Sequence, residues 1–216
     1  MISIVTPWLA HAELIPAYEA AVSGAEVIIV EQEGESADAL DAMCARLGGG
    51  SRVLHYPDRM GFSRATNAGL EVATGDVVVC LNNDIYGDAK RPNRWLRYVE
   101  RDTPPGALSG PHVLPFPVDH DVLAYVDGWC VAARRETWDM LGGWDAEHYP
   151  FAYAEDVDVS TRARMLGCVL YQTAWPIHHI GHVTSSTTPG AFDHADAQRE
   201  KVRERFRQWK AGTYSP

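Results

Sequence analysis

Gly75-Asp76-Val77-Val78-Val79-Cys80-Leu81-Asn82-Asn83-Asp84 is an apolar run that breaks off into two amides and a carboxylate. A short continuous apolar run of this kind reads as a buried strand. Just before it, Gly61-Phe62-Ser63-Arg64-Ala65-Thr66-Asn67-Ala68-Gly69 reads as the start of a helix, with Ser63 as its N-cap. A helix that feeds a buried strand is the repeating unit of an open α/β sheet. In such sheets ligands bind at the carboxyl ends of the strands, so the run delivers Asp84 to a ligand-binding edge. Upstream, the apolar runs Ile2–Thr6, Glu26–Glu31 and Arg52–Tyr56 alternate with helical patterns over Ala12–Ser23 and Ala37–Leu47. This order predicts parallel strands with right-handed crossovers and helices on both faces.

At 216 residues the chain suffices for one domain with a sizeable core. Its 46% hydrophobic and 22% charged content is that of a globular protein. A formal net charge of −10 argues against broad binding to nucleic acid, which needs clustered Lys and Arg. The four cysteines lack CxxC spacing, which argues against a thiolate zinc site, and Cys80 and Cys130 read as buried packing residues. No run approaches the ~20 apolar residues that cross a bilayer. The first residues lack the basic flank and apolar length of a signal peptide, so the cytoplasm is the expected compartment.

Beyond Asp84 the pattern changes. A helix is expected over Pro92–Arg101, then a loop from Pro104 to Asp121 holding one short strand at Ala107–Ser109. Strands are expected at Val122–Val126, Trp129–Ala133, Val169–Thr173 and Trp175–His179, and helices at Arg135–Leu141 and Val157–Leu166. Gly181–Gly190 reads as a connector. The last helix, about Asp193–Lys210, sets Val202, Phe206 and Trp209 on one face among Arg and Lys. A basic amphipathic helix can make weak contact with a membrane surface, but three apolar positions at this spacing favour docking onto the domain.

Two acidic clusters carry the chemistry. One carboxylate, Asp84, among the amides Asn82 and Asn83 suits a hard divalent cation that also holds substrate phosphates. Asn82 or Asn83 would hold a ribose or complete the oxygen shell. In Glu155-Asp156-Val157-Asp158, carboxylates crowd the first turn of a helix, where the macrodipole favours them. Neighbouring carboxylates also raise one another's pKa, which makes a better general base. Asp156 is the expected base, with Glu155 and Asp158 shaping the site and Arg162 pairing with Asp158 one turn on. Either His178 or His179 can add a metal ligand, with His178 favoured because it follows the apolar run. Together the clusters point to metal-assisted transfer from a nucleotide-activated donor. Trp129, Trp144 and Trp175 can stack on sugar rings or pack the core.

With these residues assembled, the chain resembles the family-two glycosyltransferases of GT-A fold, especially the rhamnosyltransferase-like branch. The resemblance runs through Val5-Thr6-Pro7, Glu31, Gly61-Phe62 with Asn67-Ala68-Gly69, and Leu81-Asn82-Asn83-Asp84, which is similar to the family's DxD motif. It continues through Gly128-Trp129, Gly142-Gly143-Trp144-Asp145, Phe151 to Glu155-Asp156-Val157-Asp158 with Arg162, and His178-His179 followed by Ser185-Ser186. It implies one α/β domain with a Rossmann-like, mixed central sheet flanked by helices. Residues 1–86 would bind the nucleotide sugar, 87–192 the acceptor, and 193–216 would form a C-terminal helix. It further implies inverting transfer from a nucleotide-diphosphate sugar, with Mn2+ or Mg2+ at Asp84 and a late His. Thr6, Pro7, Glu31, Gly61, Asn67, Asn82 and Asn83 would face the donor, and Gly128, Trp129, Trp144 and Asp145 the acceptor. That acceptor would be a glycan, a lipid-linked intermediate or a protein rather than nucleic acid. Two departures stand out: Asn82 replaces the first Asp of the motif, and Glu31-Gln32 replaces an Asp-rich nucleotide turn.

Two other readings compete. A sugar-1-phosphate nucleotidyltransferase needs a basic, Gly-rich loop after the first strand. Pro7-Trp8-Leu9-Ala10-His11-Ala12-Glu13 contains no Lys, Arg or Gly. A sugar-nucleotide-binding protein without activity is kept open by Asn82.

Overall fold

The computed structural model describes residues 1–150, 152–181, 183, 193–214 and 216. A seven-stranded mixed sheet lies at its centre. Its strands are β1 (Ile2–Leu9), β2 (Glu26–Gln32), β3 (Arg52–Tyr56), β4 (Val77–Leu81), β6 (Ala107–Gly110), β9 (Cys130–Arg134) and β10 (Val169–Gln172). Their order across the sheet is β10-β6-β9-β4-β1-β2-β3. β1, β2, β3 and β4 are mutually parallel, as the alternation of strand and helix predicts. β9 runs antiparallel to both its neighbours, β4 and β6.

Period-two alternation divides the apolar strands between two cores. In β4, Val77, Val79 and Leu81 enter one core with α1 (Ile15–Val22), α2 (Ala37–Leu47) and α4 (Leu96–Val99). Val78 and Cys80 enter the other with α3 (Phe62–Val72), α5 (Arg135–Leu141) and α6 (Glu155–Met165). A strand that feeds two cores has no polar face, which is why its sequence is an unbroken apolar run. All four cysteines are buried and free.

Two small antiparallel ribbons flank the sheet. β5 (Ile85–Gly87) pairs with β11 (Ile177–His179). β7 (Val113–Val118) and β8 (Asp121–Val126) form a hairpin, where the sequence reading expects loop up to Asp121. Pro115 and Pro117 conceal β7, because proline cannot donate to a sheet ladder. In a two-stranded ribbon each strand is an edge, so the missing donors face outward. Asp119, at φ 52°, makes the reversal at the hairpin tip. The helix expected over Pro92–Arg101 shrinks to Leu96–Val99, with turns on either side.

A third cluster joins Phe116, Val118 and Leu123 of the hairpin to Val157 of α6 and to Val202 and Phe206 of the final helix, α7 (Ala195–Lys210). Docking, not a membrane, therefore covers those two residues, while Trp209 is 40% exposed. No described helix is long and apolar enough to cross a membrane.

Gly69 lets α3 approach the sheet. A Cβ there would collide with the Val5 side chain and lie 3.2 Å from Val30. Overpacking at such a contact costs about 1–3 kcal/mol. Gly69→Ala should lower stability by that amount in urea unfolding, and an unchanged midpoint would refute the close-packing account.

Candidate functional site

β4 ends at Leu81, and the backbone then leaves the sheet. The Asn82 N–H donates to the Trp129 carbonyl at 2.8 Å, which fastens the Asn-Asn-Asp segment to the loop that leads into β9. Asp84 is held from the other side by the Ile180 N–H, which donates to its carbonyl at 2.9 Å. The β5–β11 register sets His179 opposite Ile85 and His178 opposite Tyr86. Alternation along β11 then separates the two histidines. His179 turns inward, with Nε2 2.9 Å from Asp84 Oδ1 and the ring stacked on Trp129 at 5.0 Å. His178 points away and stacks on the exposed Tyr86. The preference for His178 is thus corrected: only His179 reaches Asp84.

The second cluster opens α6. Tyr153 and Ala154, at φ 80° and 76°, hold left-handed conformations that cost non-glycine residues about 1–3 kcal/mol each. Strain of that size, immediately before Glu155-Asp156, marks a chain held where packing puts it. Asp156 Oδ2 accepts from the Gly128 N–H at 3.0 Å and Oδ1 from the Val157 N–H at 2.8 Å. A Cβ at Gly128 would sit 3.1 Å from Asp156 Cβ and 3.2 Å from its Oδ2, so a larger residue there would press on the carboxylate. Burial, reinforced by the charge of Asp127, raises the Asp156 pKa to about 6 against these two hydrogen bonds. Glu155 is driven well above the ordinary carboxylate range by burial and by Asp156.

The two clusters share one cleft of about 940 Å³. Of the residues singled out in the sequence, Pro7, Gly61, Asn82, Asn83, Asp84, Gly128, Trp129, Glu155, Asp156 and His179 line it. Asn83 Nδ2 and Glu155 Oε2 are buried and have no hydrogen-bond partner among the described residues. Such atoms are costly in an empty site and suit a bound ligand.

Others do not line the cleft. Thr6 is buried, with its hydroxyl 2.5 Å from that of Tyr18. Glu31 is buried beneath His55, whose Nδ1 lies 3.3 Å from it. Asn67 braces the loop after α5: its amide donates to the Trp144 carbonyl at 2.7 Å and accepts from the Trp144 N–H at 2.9 Å. Trp144 packs on Trp138 and Phe62 in the core, and Trp175 packs on Trp95. Ser63 does not cap α3; its hydroxyl donates to the Tyr149 carbonyl at 2.8 Å, and Gly61 takes the cap position. Phe151, His182, Ser185 and Ser186 lie outside the described residues.

Asp158 is also diverted from the cleft. Fully buried, it accepts from Arg162 Nε at 2.8 Å and from Arg205 Nη1 of α7. Arg162 extends the brace to the Leu141 and Gly143 carbonyls, and Arg205 also pairs with Asp145 at 2.9 Å. This network locks α5, α6 and α7 together behind the site.

Gln32, noted in the sequence only as a departure in the nucleotide turn, lines the cleft, and several other cleft residues carry no signal in the sequence. Gln32 accepts from the Met60 and Gly61 N–H groups at 2.7 and 3.1 Å and so shapes the loop before α3. Arg59, Phe116, Tyr125, Asp127, Arg199 and Arg203 also face the cleft. They stand on loops, the hairpin and α7, where no local motif flags them.

The fold is that of the GT-A glycosyltransferases, and residues 13–113 match the family Glycosyl transferase family 2. That match covers just under half of the chain. No curated protein is significantly similar to it in sequence. Among solved structures, the mannosyltransferase PcManGT from Pyrobaculum calidifontis in complex with GDP-Man and Mn2+ is 17% identical, with a TM-score of 0.58. The alignment covers 80% of this chain and 54% of that one. A structure of S. aureus TarS spanning 1-349 is 14% identical, with a TM-score of 0.56, over 82% of this chain and 60% of its own. This chain therefore spans less than two thirds of each.

Removing one partner of a buried ion pair typically costs about 3–5 kcal/mol. Arg205→Ala should fall toward the lower end of that range, since Arg162 still pairs with Asp158. Denaturant unfolding checks it, and a loss below a few tenths would mean that the network does not anchor α7.

Proposed function

We propose that the protein is an inverting, divalent-metal-dependent glycosyltransferase of the family-two type, moving a sugar from a nucleotide-diphosphate sugar to an acceptor hydroxyl. The observation that carries this reading is that Asp84 and Asp156, distant in sequence, line one cleft. The match of residues 13–113 and the fold shared with a mannosyltransferase that holds GDP-Man and Mn2+ support it. In this reading residues 1–86 hold the donor, 87–192 the acceptor, and 193–216 close the domain.

Among the described residues no group of three His, Cys, Asp or Glu is placed to hold a metal ion. Asp84 Oδ1 and His179 Nε2 nevertheless converge within 2.9 Å. Two protein donors leave room for diphosphate oxygens and water, as nucleotide-bound cations require. An imidazole nitrogen beside one carboxylate oxygen suits manganese better than magnesium. A cation held there would neutralise the diphosphate as it leaves. The free Asn83 amide donates to a donor oxygen, and Gln32 sets the loop beside it.

Asp156 takes the proton of the acceptor hydroxyl. The oxygen forms a bond to the anomeric carbon from the face opposite the diphosphate, the bond to the diphosphate oxygen breaks, and the nucleoside diphosphate departs with that electron pair. The Gly128 and Val157 N–H groups hold the Asp156 carboxylate in place. Burial keeps its pKa high enough for it to accept a proton readily.

Release of nucleoside diphosphate across a donor panel with manganese tests the reading. Asp156→Asn should lower turnover by about 10²–10⁴-fold, the usual contribution of a general base, with donor binding retained. Wild-type-like turnover would remove Asp156 from that role. Because the base acts deprotonated, wild-type activity should rise with pH through about 6, the raised pKa of Asp156. A profile already flat from pH 4.5 upward, as an ordinary carboxylate would give, contradicts the assignment. Chelation should abolish release and manganese restore it, except in Asp84→Asn.

A further inference from the structure

Six basic side chains project from α7, and four are tied to other parts of the molecule. Arg205 holds Asp158 and Asp145. Arg207 makes a bidentate pair with Asp119 at 2.9 Å, and Lys210 reaches Asp121 at 2.8 Å. Lys201 donates to the His148 carbonyl at 3.1 Å. Arg199 and Arg203 differ. Among the described residues their ion pairs are with Asp196 and Glu200, three residues back on the same helix, at 3.4 and 3.1 Å. Exposed pairs of that kind contribute little and are readily exchanged.

Both arginines line the cleft. Val202 and Phe206 anchor α7 in the third core cluster, so the edge that carries Arg199 and Arg203 is held over the opening. The Arg203 guanidinium lies 5.1 Å from the centre of the Phe116 ring, which also faces the cleft. Arg199 acts electrostatically on Tyr125, whose phenol also feels Asp156 and Asp127, so its charge reaches the surroundings of the base. On a chain of net charge −10, two guanidinium groups that line the cleft and whose ion pairs, among the described residues, stay on their own helix are not a general surface property. Guanidinium forks match the oxygens of phosphate and carboxylate.

We propose that Arg199 and Arg203 form a subsite for a phosphate or carboxylate on the acceptor, so that the sugar acceptor is anionic. The inference rests on the transferase reading for the word acceptor, while the subsite itself is testable without turnover.

Calorimetric titration of the full chain with glucose phosphate, p-nitrophenyl glucuronide and the neutral p-nitrophenyl glucoside decides it. One of the anionic probes should bind more tightly than the glucoside, and which one does so separates phosphate from carboxylate. Arg199→Gln/Arg203→Gln should weaken that probe by about tenfold or more, the effect expected when charge-assisted hydrogen bonds are lost. Arg207→Gln, which removes the same charge one turn further along α7, where the guanidinium is held by Asp119 rather than lining the cleft, should leave its binding unchanged. Equal binding of charged and neutral probes, no binding of any probe, or an equal loss in Arg207→Gln would each overturn the subsite. If the anionic probe binds through these arginines but no donor in the panel is cleaved, the subsite stands and the transferase reading fails.

Discussion

The antiparallel pairing of β9 against β4 is the contact on which the cleft depends. Leu81 lies opposite Cys130, and the Asn82 N–H donates to the Trp129 carbonyl one step beyond that pair. Because the two strands run in opposite directions, the residues that follow β4 and those that precede β9 leave the sheet at the same edge. Asp84 and Gly128 are thereby brought to one place, and the Gly128 N–H in turn holds Asp156. With a parallel partner in that position, the Asn-Asn-Asp segment would have no loop of the second half beside it.

Behind this edge the structure is braced by buried charge. Asp158, Arg162 and Arg205 join three helices and two backbone carbonyls, each charge met by an opposite charge or a hydrogen bond, as burial demands. The brace is centred on Asp158, two residues after Asp156 and on another face of α6, while the Asp156 carboxylate is held by backbone donors and lines the cleft. Neighbouring carboxylates thus have different tasks: Asp158 is neutralised by two guanidinium groups, whereas Asp156 keeps a raised pKa and an open face.

The legibility of the site followed the range of the interactions that built it. Asp84, Asp156 and Glu155 stood out because each follows a local pattern, a strand end or the first turn of a helix. His179 did not, since the choice between it and His178 depends on the phase of β11 against β5, a partner about ninety residues away in sequence. Asn67, expected at the donor, braces Trp144 instead; of the two roles open to Trp144 the core one holds, and the expected pairing of Asp158 with Arg162 is what turns that carboxylate from the cleft. The hairpin was hidden by Pro115 and Pro117, and with it Phe116 and Tyr125. Arg199 and Arg203 were indistinguishable from the other basic residues of α7 until it was clear which of them found partners elsewhere.

By itself the amino-acid sequence determined the alternation of strands and helices, the parallel half of the sheet and the presence of two acidic clusters. These follow from short-range physics: apolar periodicity, helix termini and the turn chemistry of Gly and Asn. Only the tertiary structure decided which carboxylate faces the cleft, which histidine reaches Asp84 and which arginines of α7 remain available. Each of those outcomes turns on strand register or on the nearest opposite charge across the fold, and a linear order of residues carries neither.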